Sequence, residues 1–122
     1  MPSRETVEAF VALVEQDKFV EAMQAFYGDD ATAQENGEPP RVGLQNLIAH
    51  ERAALARVKI HTVPGSWYVV DADRVVINWV FEITGPDGRT MRMDELVHQT
   101  WQGDKIASER FYFDPAFRKK PA

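Results

Sequence analysis

The sequence contains no cysteine, so disulfides, thiolate nucleophiles and cysteine-ligated metals are excluded. Its histidines number only three, His50, His61 and His98, and none stands in the H-x-x-x-H spacing by which one helix face offers two imidazoles to a metal. No glycine-rich loop follows a strand and opens a helix, so the usual nucleotide-binding signatures are missing. Ser3, Ser66 and Ser108 stand outside any G-x-S-x-G context. No apolar run approaches the roughly 20 residues that cross a bilayer, and the N-terminus lacks the apolar centre of a signal peptide. A cytoplasmic protein with no membrane partner is expected. A surplus of positive charge is also lacking. The net charge of −5 leaves no electrostatic footprint for nucleic acid, and the basic cluster Arg118, Lys119 and Lys120 reads as a solvated end. Neither a cofactor nor a metal is expected.

What is present suits a globular protein. At 122 residues the chain is expected to form one domain over 1–122 and to bury roughly two-thirds of the surface its unfolded form exposes. Hydrophobic residues make up 44% of it, with seven Phe, three Trp and three Tyr among them, enough for a sizeable core. Ser3 is placed to cap a helix with Glu5 and Glu8 in its first turns, and Val7, Phe10, Val11 and Val14 recur at i, i+3, i+4, i+7. A second helix carries Phe19, Val20, Met23, Phe26 and Tyr27 on one face until Gly28, Asp29 and Asp30 stop it. A third, over residues 43–58, sets Leu44, Leu47, Ile48, Leu55 and Val58 in one stripe, with Glu51 on the stripe and His50 and Arg52 off it. The remainder reads as strands over 60–70, 74–83, 90–102 and 105–113, divided by residues 71–73, the GPDG turn at 85–88, and Gly103 with Asp104. Helices first and a meander last predict an α+β fold, three N-terminal helices packed on a curved antiparallel sheet.

Side-chain parity assigns faces. On 74–83, Val75, Ile77, Trp79, Phe81 and Ile83 share one face, and Val76, Asn78, Val80 and Glu82 share the other. Both carry large apolar groups, so both are expected to be covered, one by the helices and one by a second subunit. On the next strand Met91, Met93, Glu95, Val97, Gln99 and Trp101 line the more apolar face. If GPDG alone forms the loop, Thr84 pairs with Arg89 and Asn78 sits across from Glu95 on the inner surface. Ile77, Trp79 and Phe81 then turn outward as a homodimer surface. The last hairpin has two registers. A two-residue turn at Gly103 and Asp104 leaves Glu109 outside, whereas a three-residue loop including Gln102 sets it opposite Val97 and brings Glu109, Phe111 and Phe113 inside. The second is preferred, because it puts both phenylalanines on the face of Val97 and Trp101.

These placements bring carboxyl groups to a cavity walled by Phe, Met, Val and Trp. Burial disfavours the charged form and neighbouring carboxylates disfavour double ionisation, which makes Glu95 and Glu109 candidates for general acid and base. The alternative for each is a buried glutamate that only accepts hydrogen bonds. Glu35 ends the strand-like ATAQE segment where Asn36, Gly37, Pro39 and Pro40 break the chain. It is either a rim base at the pocket mouth or a solvated carboxylate at a strand end. Glu51 either joins this cavity from the third helix or is a glutamate bonded at the helix-to-sheet seam, the second being preferred. Asn78, Gln99 and Trp101 are the candidate ligand-positioning groups. Arg92 and Asp94 share the face away from the pocket and read as a surface pair.

Two stretches, FYGDDATAQENGEPPRVG at 26–43 and WQGDKIASERFYFD at 101–114, together with the order of elements, resemble the nuclear transport factor 2-like superfamily and, within it, the SnoaL-like polyketide cyclase branch. The resemblance covers nearly the whole chain through loose motifs. It implies a cone-shaped, cystatin-like α+β barrel, a deep pocket between helices and sheet for a small hydrophobic or polycyclic molecule, and frequent dimerisation through the outer sheet face. Members include cofactor-independent isomerases, cyclases, dehydratases and epoxide hydrolases, as well as proteins that only bind or scaffold. Carried over from the ketosteroid isomerases, the catalytic base falls on Glu35, the oxyanion tyrosine on Phe10 and the protonated aspartate beside it on Val97. The resemblance thus implies a retained base without two donors that contribute on the order of 3 kcal/mol each. Carried over from the epoxide hydrolases, the aspartate, arginine, aspartate set falls on Glu82, Val80 and Phe111 and is not retained. Phe10, Val97 and Phe111 are therefore expected as apolar ligand contacts. The expectation is an acid/base isomerase, cyclase or hydratase, with a non-catalytic ligand-binding or dimeric scaffold domain as the alternative.

Overall fold

Ser3 caps the first helix: its side-chain oxygen accepts from the Thr6 N–H at 3.1 Å at the start of α1 (Arg4–Glu15), whose buried face is Val7, Phe10, Val11 and Val14. In this computed structural model, which describes residues 1–118, the chain continues through α2 (Phe19–Phe26), β1 (Tyr27–Glu35), β2 (Arg41–Val42) and α3 (Leu44–Arg57). It then forms β3 (Lys59–Thr62), β4 (Trp67–Asp71), β5 (Arg74–Thr84), β6 (Thr90–Gln102) and β7 (Lys105–Tyr112), and a 3-10 turn over Pro115–Arg118. Lys119 and Lys120 of the basic tail lie outside the described residues. Among the described residues no helix is long and apolar enough to cross a membrane.

The strands form one curved, open sheet in the order β2-β1-β7-β6-β5-β3, with β4 also paired to β5. Every pairing is antiparallel except that of β1 with β7. The chain enters β1 from α2 rather than from a hairpin, so no tight turn forces that pair to be antiparallel. The segment 60–70 is two strands instead of one, because Pro64 cannot donate to a ladder and Gly65 sits at φ 96. Glu15 Oε2 secures the break by accepting from the Gly65 N–H at 2.9 Å and the Ser66 N–H at 3.3 Å. The end of α1 is tied to the same region. Asp17, at φ 63, accepts from the Thr62 N–H at 2.7 Å, and its other oxygen lies 2.8 Å from His61 Nδ1.

Two hairpins decide which side chains face the helices. In the first, Gly88 N–H returns to Gly85 C=O at 3.0 Å, Gly88 takes φ 82, and Asp87 Oδ1 accepts from the Arg89 N–H at 3.0 Å. Arg89 thereby becomes an extra loop residue, so Thr84 pairs with Thr90 rather than with Arg89, and Trp79, not Asn78, lies opposite Glu95. The expected facing of β5 is therefore reversed. Val75, Ile77 and Trp79 are core residues, and they do not form an outer dimer surface. Asn78, expected beside the ligand, is on the outer face, where its Nδ2 donates to Asp94 Oδ1 at 2.7 Å and to the Glu95 carbonyl at 3.0 Å.

In the second hairpin the turn is the two-residue one, with Gln102 paired to Lys105 and Gly103 at φ 58. The register then shifts between Trp101 and Thr100, so that Trp101 pairs with Ile106 but Thr100 pairs with Ser108. The extra residue, Ala107, is a bulge that turns the rest of β7 over. Glu109 and Phe111 face inward, opposite Gln99 and Val97 respectively. The inward facing of Glu109 thus arises from a bulge in the strand, not from a longer loop.

Candidate functional site

A cavity of about 380 Å3 lies between the helices and the inner face of the sheet, a volume within the ordinary range for small-molecule sites. Its walls are mostly apolar: Phe10 from α1, Phe19 and Met23 from α2, Leu47 from α3, Trp79 and Phe81 from β5, and Phe111 from β7. Trp79 stacks on Phe81 at 6.1 Å between ring centroids, and Phe10 meets Trp79 edge-on at 6.3 Å. Such contacts fix ring orientations and give the cavity a defined shape.

The buried polar end is built by β1, β6 and β7. Tyr27, Glu95 and Glu109 line it, with Glu95 6% and Glu109 4% exposed. The Tyr27 hydroxyl donates to Glu109 Oε1 at 2.5 Å, and Gln99 Nε2 donates to Glu109 Oε2 at 3.1 Å. Behind Gln99, the Trp101 indole N–H donates to Gln99 Oε1 at 3.1 Å. Burial pushes Glu109 up to about 7; the Tyr27 and Gln99 donors pull it back, and the charge of Glu51 raises it further. Burial and the adjacent Glu109 charge hold the Tyr27 hydroxyl well above its ordinary range, so at neutral pH it remains a proton donor.

The mouth carries charge. Glu35 ends β1 with its side chain 13% exposed, 3.4 Å from Arg41 Nη2 at the start of β2. His50, Glu51 and Arg57 of α3 also line the cavity. Glu51 is raised by burial and by the neighbouring Glu35 charge, with Arg41 acting in the opposite direction.

Of the residues singled out in the sequence, Glu35, Glu95, Glu109, Phe10 and Phe111 line the cavity. Val97, Gln99 and Trp101 do not line it; all three are buried behind its wall, where Gln99 donates to Glu109 and Trp101 donates to Gln99. Four polar cavity residues, Tyr27, Arg41, His50 and Arg57, were not among those singled out in the sequence. Tyr27, expected at the end of a helix face, opens β1. Its parity with Ala31, Ala33 and Glu35 was the available signal, masked by the polar run Gly28, Asp29 and Asp30. Glu51 lines the cavity, one of its two expected placements, and so does His50, expected off the helical stripe.

Residues 7–109 match the family model for the SnoaL-like domain. Comparison with curated proteins gives no match. Among solved structures, a Mesorhizobium loti protein named as a SnoaL-like polyketide cyclase superposes with a TM-score of 0.76 at 24% identity, covering 88% of this chain and 96% of that one. A Xanthomonas campestris pv. campestris protein named as a polyketide cyclase gives 0.78 at 15% identity, with 90% and 88% covered. An LEH-like epoxide hydrolase of M. tuberculosis gives 0.73 at 19%, with 90% and 80% covered. At these identities the likeness speaks for the fold alone.

Proposed function

The chain belongs to the SnoaL-like domain family, and on that premise we propose that it is a cofactor-independent isomerase, cyclase or hydratase acting by general acid/base catalysis on a small, mostly apolar molecule. The observation that carries this reading is the convergence of Glu35, Glu51, Glu95 and Glu109 on one apolar cavity. Glu109 is the proton-carrying group at the buried end: its carboxyl is held between two donors, and burial brings it to the point where both protonation states are populated near neutrality. Glu95 is its partner for the opposite transfer, and Glu35 is the base at the mouth. The wall of aromatic rings suits a hydrophobic or polycyclic body with a carbonyl or hydroxyl group at its inner end. The working form is a cytoplasmic homodimer that meets through the outer face of the sheet.

One observation favours a second reading, a ligand-binding domain without turnover: both oxygens of Glu109 are already satisfied inside the protein. The test that separates the two begins with a thermal-shift screen against steroids, aromatic polyketides, terpenoid epoxides and lipids, in which a ligand at a hundred times its Kd stabilises the fold by about 2.7 kcal/mol. Each hit is then incubated with the protein and its products are analysed. The enzyme reading expects conversion that Glu109→Gln abolishes while the thermal shift persists. Binding without conversion supports the second reading, and no hit from a folded protein removes both.

A further inference from the structure

The chain of side chains behind the cavity has a direction that the chemistry of its members fixes. An indole N–H is a donor only, so the group it meets on Gln99 must be the amide oxygen. With Oε1 held by Trp101 at 3.1 Å, the other end of the amide presents N–H to Glu109 Oε2 at 3.1 Å. An oxygen that faces an N–H cannot also direct a proton at it. A protonated Glu109 therefore carries its hydrogen on Oε1, beside the Tyr27 hydroxyl, whose oxygen can accept while its own hydrogen swings toward the cavity that Tyr27 lines.

We propose that Trp101, which does not reach the cavity, is a positioning residue: by holding Gln99 Oε1 it fixes the Gln99 N–H on Glu109 Oε2, and so makes the Tyr27 side the one on which Glu109 takes up and releases its proton. This rests on the reading of Glu109 as the proton-carrying group of the pocket. Removing the indole N–H frees the amide to rotate. The rotated amide oxygen then accepts from a protonated Glu109, a partner that the neutral carboxyl lacks while Trp101 holds the amide. The neutral form gains and the charged form loses a donor, so both consequences act in the same direction. The other titratable or charged groups around the cavity are Glu35 and Tyr27 on β1, Arg41 on β2, His50, Glu51 and Arg57 on α3, and Glu95 on β6; Trp101 donates to none of them.

The test is the titration of Glu109 followed by the side-chain carboxyl carbon resonance in protein labelled at glutamate. It is carried out on the unmodified chain, Trp101→Phe, Gln99→Met and the double variant, with no ligand present. Trp101→Phe is expected to raise the Glu109 midpoint by about one pH unit, the equivalent of one hydrogen bond to the charged form. In the Gln99→Met background the same change is expected to shift nothing. An unmoved midpoint in Trp101→Phe overturns the proposal, and so does an equal shift in both backgrounds, which would mark a packing effect. If Trp101→Phe does not fold, 3-benzothienylalanine at position 101 keeps the ring size, removes the N–H and gives the same readout. The titration reads Glu109 directly, so its failure leaves the catalytic reading standing, whereas a pocket that converts nothing leaves the titration result intact.

Discussion

Tyr27 on β1 and Glu109 on β7 are joined side chain to side chain at 2.5 Å across the one parallel strand pair of the sheet. The bond lies at the buried end of the cavity, where a carboxylate without donors would be costly to ionise. Tyr27 and Gln99 oppose that cost, and burial outweighs them.

Replacing Tyr27 by Phe removes one of the two donors and leaves the burial in place. The Glu109 midpoint is expected to move above its present value of about 7. Stability above that midpoint is expected to fall by about 1 to 3 kcal/mol, because a charged buried acceptor has lost a partner. Below it, where the carboxyl is neutral, the loss is smaller. Urea denaturation on the two sides of the midpoint measures the difference, and equal losses at both would show that the bond does not govern ionisation.

Glu109 also imposes a pH dependence on the whole fold. Its pKa is raised from 4.5 to about 7, so between those values the native state binds a proton that the unfolded chain has released. Stability must then fall as pH rises through that window and level off above it, by about 3 kcal/mol. Glu51, raised as well, contributes with the same sign. Glu109→Gln is expected to flatten most of the slope in a series of denaturation curves against pH. An unchanged slope in that variant would assign the dependence elsewhere.

The helices and the limits of β5, β6 and β7 were legible in the sequence because their signals are local: the Ser3 cap, the Val7, Phe10, Val11, Val14 stripe, and the punctuation at Gly103. Facing was not, since it depends on counting single residues. One extra loop residue, Arg89, reversed β5 and moved Asn78 out and Trp79 in. One bulge, at Ala107, brought Glu109 in although the turn before it was the one expected to leave it out. Neither is encoded by periodicity, because a period of two reads the same from both faces. Tyr27 was lost for another reason. It opens a strand that runs at once into Gly28, Asp29 and Asp30, residues of low β-propensity, and its place there is set by pairing with β7.

Three charged groups that line the cavity are coupled. Arg41 lowers Glu51 while Glu35 raises it, and Arg41 also pairs with Glu35 at 3.4 Å. Arg41→Met is therefore expected to raise the Glu51 midpoint and Glu35→Gln to lower it, both seen in the same carboxyl resonances. Opposite displacements establish that Glu35 and Glu51 share one electrostatic site. If Glu35→Gln leaves Glu51 unmoved, the two act separately, and Glu35 loses its link to the chemistry of the cavity.

The outer face of the sheet carries the last prediction. Trp67, Asn78, Leu96 and Tyr112 form one row across β4, β5, β6 and β7, and Trp67, Leu96 and Tyr112 are exposed. Val69 adds to this apolar surface one row further along, paired with Val76. A twofold interface brings the same patch of each copy together, so a charge placed at its centre meets its own like charge. Leu96→Lys is expected to convert a homodimer into a monomer in sedimentation at micromolar concentration. Its midpoint of thermal unfolding should then lose the dependence on protein concentration that a dimer shows. A monomer already present in the unmodified protein at that concentration would remove the dimer from the proposed working form.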